Sequence, residues 1–160
     1  MNLRNNKGYT GSDIIISILI LMVFIPTIVA LIYSIDTKNN EIERKNYAMT
    51  LSCNIIETLK SIDIDKLDEE TNLNDIKNKI NKFKANDSEI TTNEDGKITF
   101  SSEDSYGNRY VVLIKIEDYK DYSGETNIED NVVKKITVTT EYRINKETKN
   151  VEISTLKTIE

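Results

Sequence analysis

Twenty-two consecutive residues, from Ile14 to Ile35, carry no charge, and this run constrains the chain more than any other feature. A helix rises about 1.5 Å per residue, so the run reaches about 33 Å, enough to cross a hydrocarbon core about 30 Å thick. Residues 36–160 are only about a third apolar. The expectation is therefore a polar head tethered to a membrane by one span. Arg4 and Lys7 lie on the short N-terminal side, and basic residues favour the cytoplasmic face. That bias puts the N-terminus in the cytoplasm and the head outside, although Lys38, Arg44 and Lys45 weaken it from the other side. A secretory signal cleaved after Ala30 is the competing reading. Ile28 stands where such a site wants a small residue, and the apolar run continues past the cut.

Charge and composition remove whole classes of chemistry. Residues 1–13 hold Arg4, Lys7 and Asp13, so of 21 Lys+Arg and 27 Asp+Glu the head keeps 19 basic against 26 acidic residues. An acidic head repels nucleic-acid phosphate, which makes a nucleic-acid partner unexpected. The chain has no His and a single Cys. Imidazole acid–base work, an internal disulfide and a cysteine-based zinc site are thereby excluded. With no nucleophile–base pair, no phosphate-binding glycine loop and no metal-ligand cluster, the expectation is a non-enzymatic protein without cofactor or metal. The run Asp63, Asp65, Asp68, Glu69, Glu70 lacks the spacing of a calcium loop and reads as a plain acidic loop.

The residues just before the span, Lys7-Gly8-Tyr9-Thr10-Gly11-Ser12-Asp13, carry most of the functional information. Singly, Thr10, Ser12 and Asp13 are ordinary helix N-cap residues, and a carboxylate there suits the helix dipole. Together they resemble the processing junction of type IV prepilins. In that family a short basic leader ends in Gly, a membrane peptidase cuts after it, the new N-terminal residue is N-methylated, and an acid stands fifth in the mature chain. The resemblance implies a leader of residues 1–8, a cut between Gly8 and Tyr9, methylation of Tyr9, and Asp13 as the assembly acid. Asp13 would pair with the freed amine of Tyr9 on a neighbouring subunit. A carboxylate inside an apolar helix costs about 2.5–3.5 kcal/mol on insertion scales. Such a partner offsets that cost, so processing would switch assembly on. Tyr9 stands where the family prefers Phe, Asp13 where it prefers Glu, and Gly11-Ser12 where it prefers apolar residues; these departures suit a minor subunit.

Pro26 lies inside the span, where it removes one backbone hydrogen bond and is expected to kink the helix. Beyond a polar stretch at 36–46, apolar residues return at helical spacing as Ala48, Leu51, Ile55, Leu59 and Ile62. The helix is expected to continue to about residue 61, with 36–62 as its amphipathic half and Cys53 packed on or beside the buried face. A second helix is signalled by Leu73, Ile76, Ile80 and Phe83, running to about residue 86; its Lys77, Lys79, Lys82 and Lys84 read as solvated surface. From residue 89 the period changes to two. Strands are expected at 89–92, 97–101, 109–117, 134–144 and 151–156, with a turn spanning 145–150 before the last.

The fold class expected is α+β: a long N-terminal transmembrane and amphipathic helix packed on a C-terminal antiparallel sheet, with residues 63–160 forming the globular head. This is also the pilin architecture, and the hairpin from Lys134 to Lys157 is similar to the closing hairpin of minor pilins and pseudopilins. The resemblance implies a minor pilin or pseudopilin: a single-pass protein of the cytoplasmic membrane, then a subunit of an extracellular filament. Other pilin subunits, prepilin peptidase, an assembly platform protein and an assembly ATPase would be its partners. An uncleaved, signal-anchored extracytoplasmic binding or sensor domain is the alternative.

Overall fold

The computed structural model describes residues 11–62, 73–93, 96–119 and 133–157. The leader, the junction at Gly8 and Tyr9, the acidic run at 63–70 and most of the 118–131 loop lie outside the described residues. The chain forms two compact units, Met1–Glu41 and Ile42–Glu160. One helix, α1 (Gly11–Lys60), contributes to both. Asp13 sits in its first turn and Lys60 in its last, the signs that complement the helix dipole. Pro26 is accommodated inside α1, which remains helical across it.

In the second unit five strands form an antiparallel meander in the order β1-β2-β3-β4-β5: β1 (Thr91–Thr92), β2 (Ile98–Glu103), β3 (Arg109–Asp118), β4 (Lys134–Ile144) and β5 (Glu147–Lys157). Alternation places Ile98 and Phe100, Tyr110, Val112 and Ile114, and Ile136, Val138 and Tyr142 on one buried face. Registers such as Val112↔Thr140 and Ile114↔Val138 align these rows across strands. The cover comes from Ala48, Leu51, Ile55, Ile56 and Leu59 of α1, with Ile76 and Ile80 of the short helix α2 (Leu73–Ile80) in the same apolar cluster. The expected α+β arrangement, a long apolar N-terminal helix whose distal part packs on an antiparallel sheet, is what the chain forms.

Three local expectations are corrected. Cys53 is exposed rather than packed, because the slot facing the sheet belongs to Ser52, one residue earlier and about 100° round the helix. Ser52 is fully buried, and its Oγ lies 2.7 Å from Thr140 Oγ1, itself fully buried on β4. A hydroxyl is tolerated there because a second hydroxyl satisfies it. The last turn is two residues, Asn145-Lys146, not six. Both residues have positive φ, 48° and 74°, the geometry whose twist matches a tight hairpin, so β5 begins at Glu147. Its first four residues are polar and mostly solvent-facing, which hid them as a strand. The second helix stops at Ile80, followed by a single 3₁₀ turn, Asn81–Phe83. The chain then runs along the outer edge of β2: the Ala85 N–H donates to Ser101 O at 2.8 Å, and the Ser101 N–H donates to Ser88 Oγ at 2.8 Å. These bonds close a strand edge that would otherwise stand open.

The Ser52–Thr140 pair makes a testable asymmetry. Ser52→Ala strands one buried hydroxyl and is expected to cost about 1–3 kcal/mol in urea unfolding, whereas Ser52→Ala combined with Thr140→Val recovers most of that loss. Equal costs for the single and the double variant would show that the Thr140 hydroxyl left behind carries no penalty of its own.

Candidate functional site

Every large apolar residue from Ile14 to Ile35 is exposed in the isolated chain, between 48% for Ile18 and 73% for Tyr33. A helix apolar on all sides must be covered by lipid or by other helices. This one is long and apolar enough to cross a membrane. Two of its hydroxyls bond internally: Ser17 Oγ donates to Asp13 O at 2.7 Å and Thr27 Oγ1 donates to Val23 O at 2.8 Å. These two side chains thus satisfy themselves on the preceding turn and present little unmet polarity to a nonpolar surround. Pro26 brings no N–H, so the Met22 carbonyl has no amide donor one turn on.

Of the residues singled out at the junction, Asp13 is described and stands in the first helical turn at the polar mouth of the apolar run. Gly8 and Tyr9 fall outside the described residues. Gly11 opens α1, and a Cβ built there would meet nothing within 4 Å. Helix geometry does not demand glycine at that position.

The head contains a polar cluster that periodicity did not reveal. Asp104 closes the β2–β3 turn: Oδ1 accepts the N–H groups of Tyr106 and Asn108 at 2.9 Å each, and Oδ2 accepts Asn108 Nδ2 and the Tyr110 hydroxyl at 2.9 Å each. Gly107 supplies the positive φ of 79° that the turn needs. The Tyr110 ring packs 4.6 Å from that of Tyr47 on α1, whose hydroxyl donates to Glu103 O at 3.1 Å. Burial opposes ionisation of Asp104, but the bonds from Asn108, Tyr110 and Tyr106 outweigh it and hold the carboxyl below its ordinary value. Burial first, and then the bond to Asp104, pushes the Tyr110 hydroxyl well above its ordinary value. The cluster is a structural clamp. Its sequence signal was the run Asp104-Ser105-Tyr106-Gly107-Asn108, an Asx turn with glycine at the left-handed position.

The sign of the resulting pH dependence follows from the lowered Asp104 value. A carboxyl with a depressed native pKa stabilises the fold above its unfolded value and loses that contribution as pH falls through the native one. Thermal unfolding of the wild type is therefore expected to weaken below about pH 4 more steeply than that of Asp104→Asn, which lacks this titration. Parallel curves for the two proteins would rule the clamp out as a source of acid sensitivity.

The lysines read as a solvated face are largely occupied. Lys79 Nζ donates to Ser61 Oγ at 3.2 Å, Lys84 Nζ donates to Ser88 O at 2.6 Å, and Lys82 lies 4.9 Å over the Phe83 ring. Lys157, the last residue of β5, donates to Lys60 O at 2.6 Å and to Ile62 O. It caps carbonyls that the end of α1 leaves without helical partners. Lys134, buried on β4, is paired with its cross-strand partner Asp118. A shallow groove between Asn54, Glu57 and Thr58 of α1 and Lys82 and Phe83 of the 3₁₀ turn offers one acid, one base and one half-buried ring. Among the described residues no group of three or more metal-ligating side chains occurs.

Comparison of the chain with protein-family models, with curated proteins and with solved structures finds no match in any of the three.

Proposed function

We propose that this chain is a minor pilin or pseudopilin: a structural subunit cut after Gly8 by a prepilin peptidase and assembled through its N-terminal helix into a type IV pilus-like filament. The observation that carries this reading is the position of Asp13, in the first turn of a helix that is apolar and uncovered on every side for the next 22 residues. A carboxylate placed there is expensive in lipid unless a cation meets it. The sequence puts Tyr9, whose amine a cut after Gly8 would free, four residues upstream. The helix also continues into a head built as a helix on an antiparallel sheet closed by a C-terminal hairpin. On this reading the protein enters the cytoplasmic membrane with its N-terminus inside and its head outside. Extraction into the filament is driven by the assembly platform protein and ATPase.

Intact-mass analysis of the mature protein tests it. The wild type is expected to lack residues 1–8 and to carry one added methyl group at Tyr9, and Gly8→Ala is expected to retain the leader. A wild-type protein found in membranes with Met1 through Gly8 still attached would overturn the reading in favour of an uncleaved anchored domain.

A further inference from the structure

The head half of α1 has a second apolar stripe that its own core does not use. Between residues 36 and 53 apolar side chains are sparse, and half of them have a place in the head: Ala48 and Leu51 are buried, and Tyr47 packs on Tyr110. Ile42, Met49 and Cys53 remain outside, Ile42 and Met49 being 53% and 43% exposed. Together with exposed Asn46 they recur as 42, 46, 49, 53, alternating steps of four and three residues. That spacing is the heptad seam of a two-stranded coiled coil, with Ile42 and Met49 at d and Asn46 and Cys53 at a. In the sequence the same phase reaches back to Asn39 at a and Ile35 at d.

The polar members of the pattern identify the occupant. Asparagine at an a position is unfavourable against an apolar residue, but it pairs with an identical asparagine opposite it, which happens when two parallel copies lie in register. Here two consecutive a positions, 39 and 46, are Asn. The flanking charges agree. Lys38 falls at g and Glu43 at the following e, the positions that meet between the chains of a parallel dimer. Lys38 is exposed and lies 3.0 Å from Glu41 of its own helix, while Glu43 is exposed on the seam side. We infer that the head half of α1 pairs in parallel and in register with a second copy of this chain, through Ile42, Asn46, Met49 and Cys53.

This pairing goes beyond the filament reading and does not depend on leader cleavage, since an uncleaved anchored chain carries the same stripe. It belongs to the membrane-borne protein. A filament contact between Asp13 and a neighbour's Tyr9 requires axially displaced copies, whereas an Asn46–Asn46 pair requires none. Anchoring two chains in one bilayer also raises their effective concentration, so a short seam suffices.

The single cysteine makes the test direct. Full-length protein reconstituted in lipid bilayers is treated with a short bis-maleimide, which alkylates two thiols without any redox step and joins two chains only where Cys53 of each lies close to the other. The expected result is a cross-linked dimer as the main product. Ile42→Glu with Met49→Glu is expected to reduce it about tenfold or more, with the head's circular dichroism and melting unchanged because both positions are exposed. Lys38→Glu and Glu43→Lys are each expected to reduce it several-fold, and the combined swap to restore it. A cysteine on the outer face of the sheet, Thr148→Cys in a Cys53→Ser background, is expected not to cross-link. Absence of the Cys53 dimer, its persistence in the double-glutamate variant, or equal cross-linking through Thr148→Cys would each overturn the inference. None of these outcomes bears on the mass of the N-terminus, so the two readings fail separately.

Discussion

An Asp13→Ala chain is expected to reach the membrane in normal amount and to lose its leader normally, yet to be depleted about tenfold or more from filaments. The expectation rests on the proposed pairing of this carboxylate with the amine of Tyr9 on a neighbour. Asp13 occupies the first turn of α1, and the helix beyond it is apolar all round. In such surroundings an ion pair is screened little and an unpaired charge costs several kcal/mol, so each 1.4 kcal/mol of lost pairing is a factor of ten in incorporation. Asp13→Asn keeps the shape and removes the charge, and is expected to behave like the alanine variant. Asp13→Glu keeps the charge and is expected to retain most incorporation. The measurement is the ratio of filament-borne to membrane-borne subunit on sheared cells. Normal incorporation of the Asn variant would remove electrostatics from the assembly step.

Leu59→Ala is expected to lower the unfolding free energy of the head by about 3 kcal/mol, a large share of the 5–15 kcal/mol typical of a domain. Leu59 is fully buried in the cluster that joins α1 and α2 to the sheet. Truncation there removes three carbon atoms and leaves a cavity that a close-packed surround fills only in part. Cys53→Ser, six residues earlier on the exposed side, is expected to change stability by less than about 0.5 kcal/mol. Urea unfolding of the full chain in detergent, followed by circular dichroism, compares the two. A loss below about 1 kcal/mol at Leu59 would show that the amphipathic half of α1 adds little to the core.

The long-period features of the fold were legible in the sequence because they rest on repeated patterns. The apolar run, the stripe of Ala48, Leu51, Ile55 and Leu59, and the alternation along β3 and β4 each draw on many residues, so single exceptions do not obscure them. Features resting on one or two residues were not legible. Ser52 and Cys53 differ by one position, and hydrophobicity alone favours burying the thiol. The hydroxyl waiting on Thr140 reversed that choice. The two-residue turn at Asn145-Lys146 was hidden because the polar residues after it look like loop until a partner strand gives them a ladder. Asp13 stands out in the sequence through its offset to Gly8 and the run that follows it, and the structure adds only its place in the first turn of α1. The Asp104 clamp, built from groups that a turn brings together, has no periodic signature although its residues are contiguous.

What the sequence determined by itself is where the chain is apolar, where its period changes, and which charges flank the greasy run. These are properties of neighbours along the backbone and need no partner to be read. What the tertiary structure decided is which face of α1 is covered: Ser52 turns inward, and Ile42, Met49 and Cys53 are left outside. A helix with apolar residues on more than one side can bury only the side that the sheet's own side chains complement, and that match exists only once strands distant in sequence stand beside it.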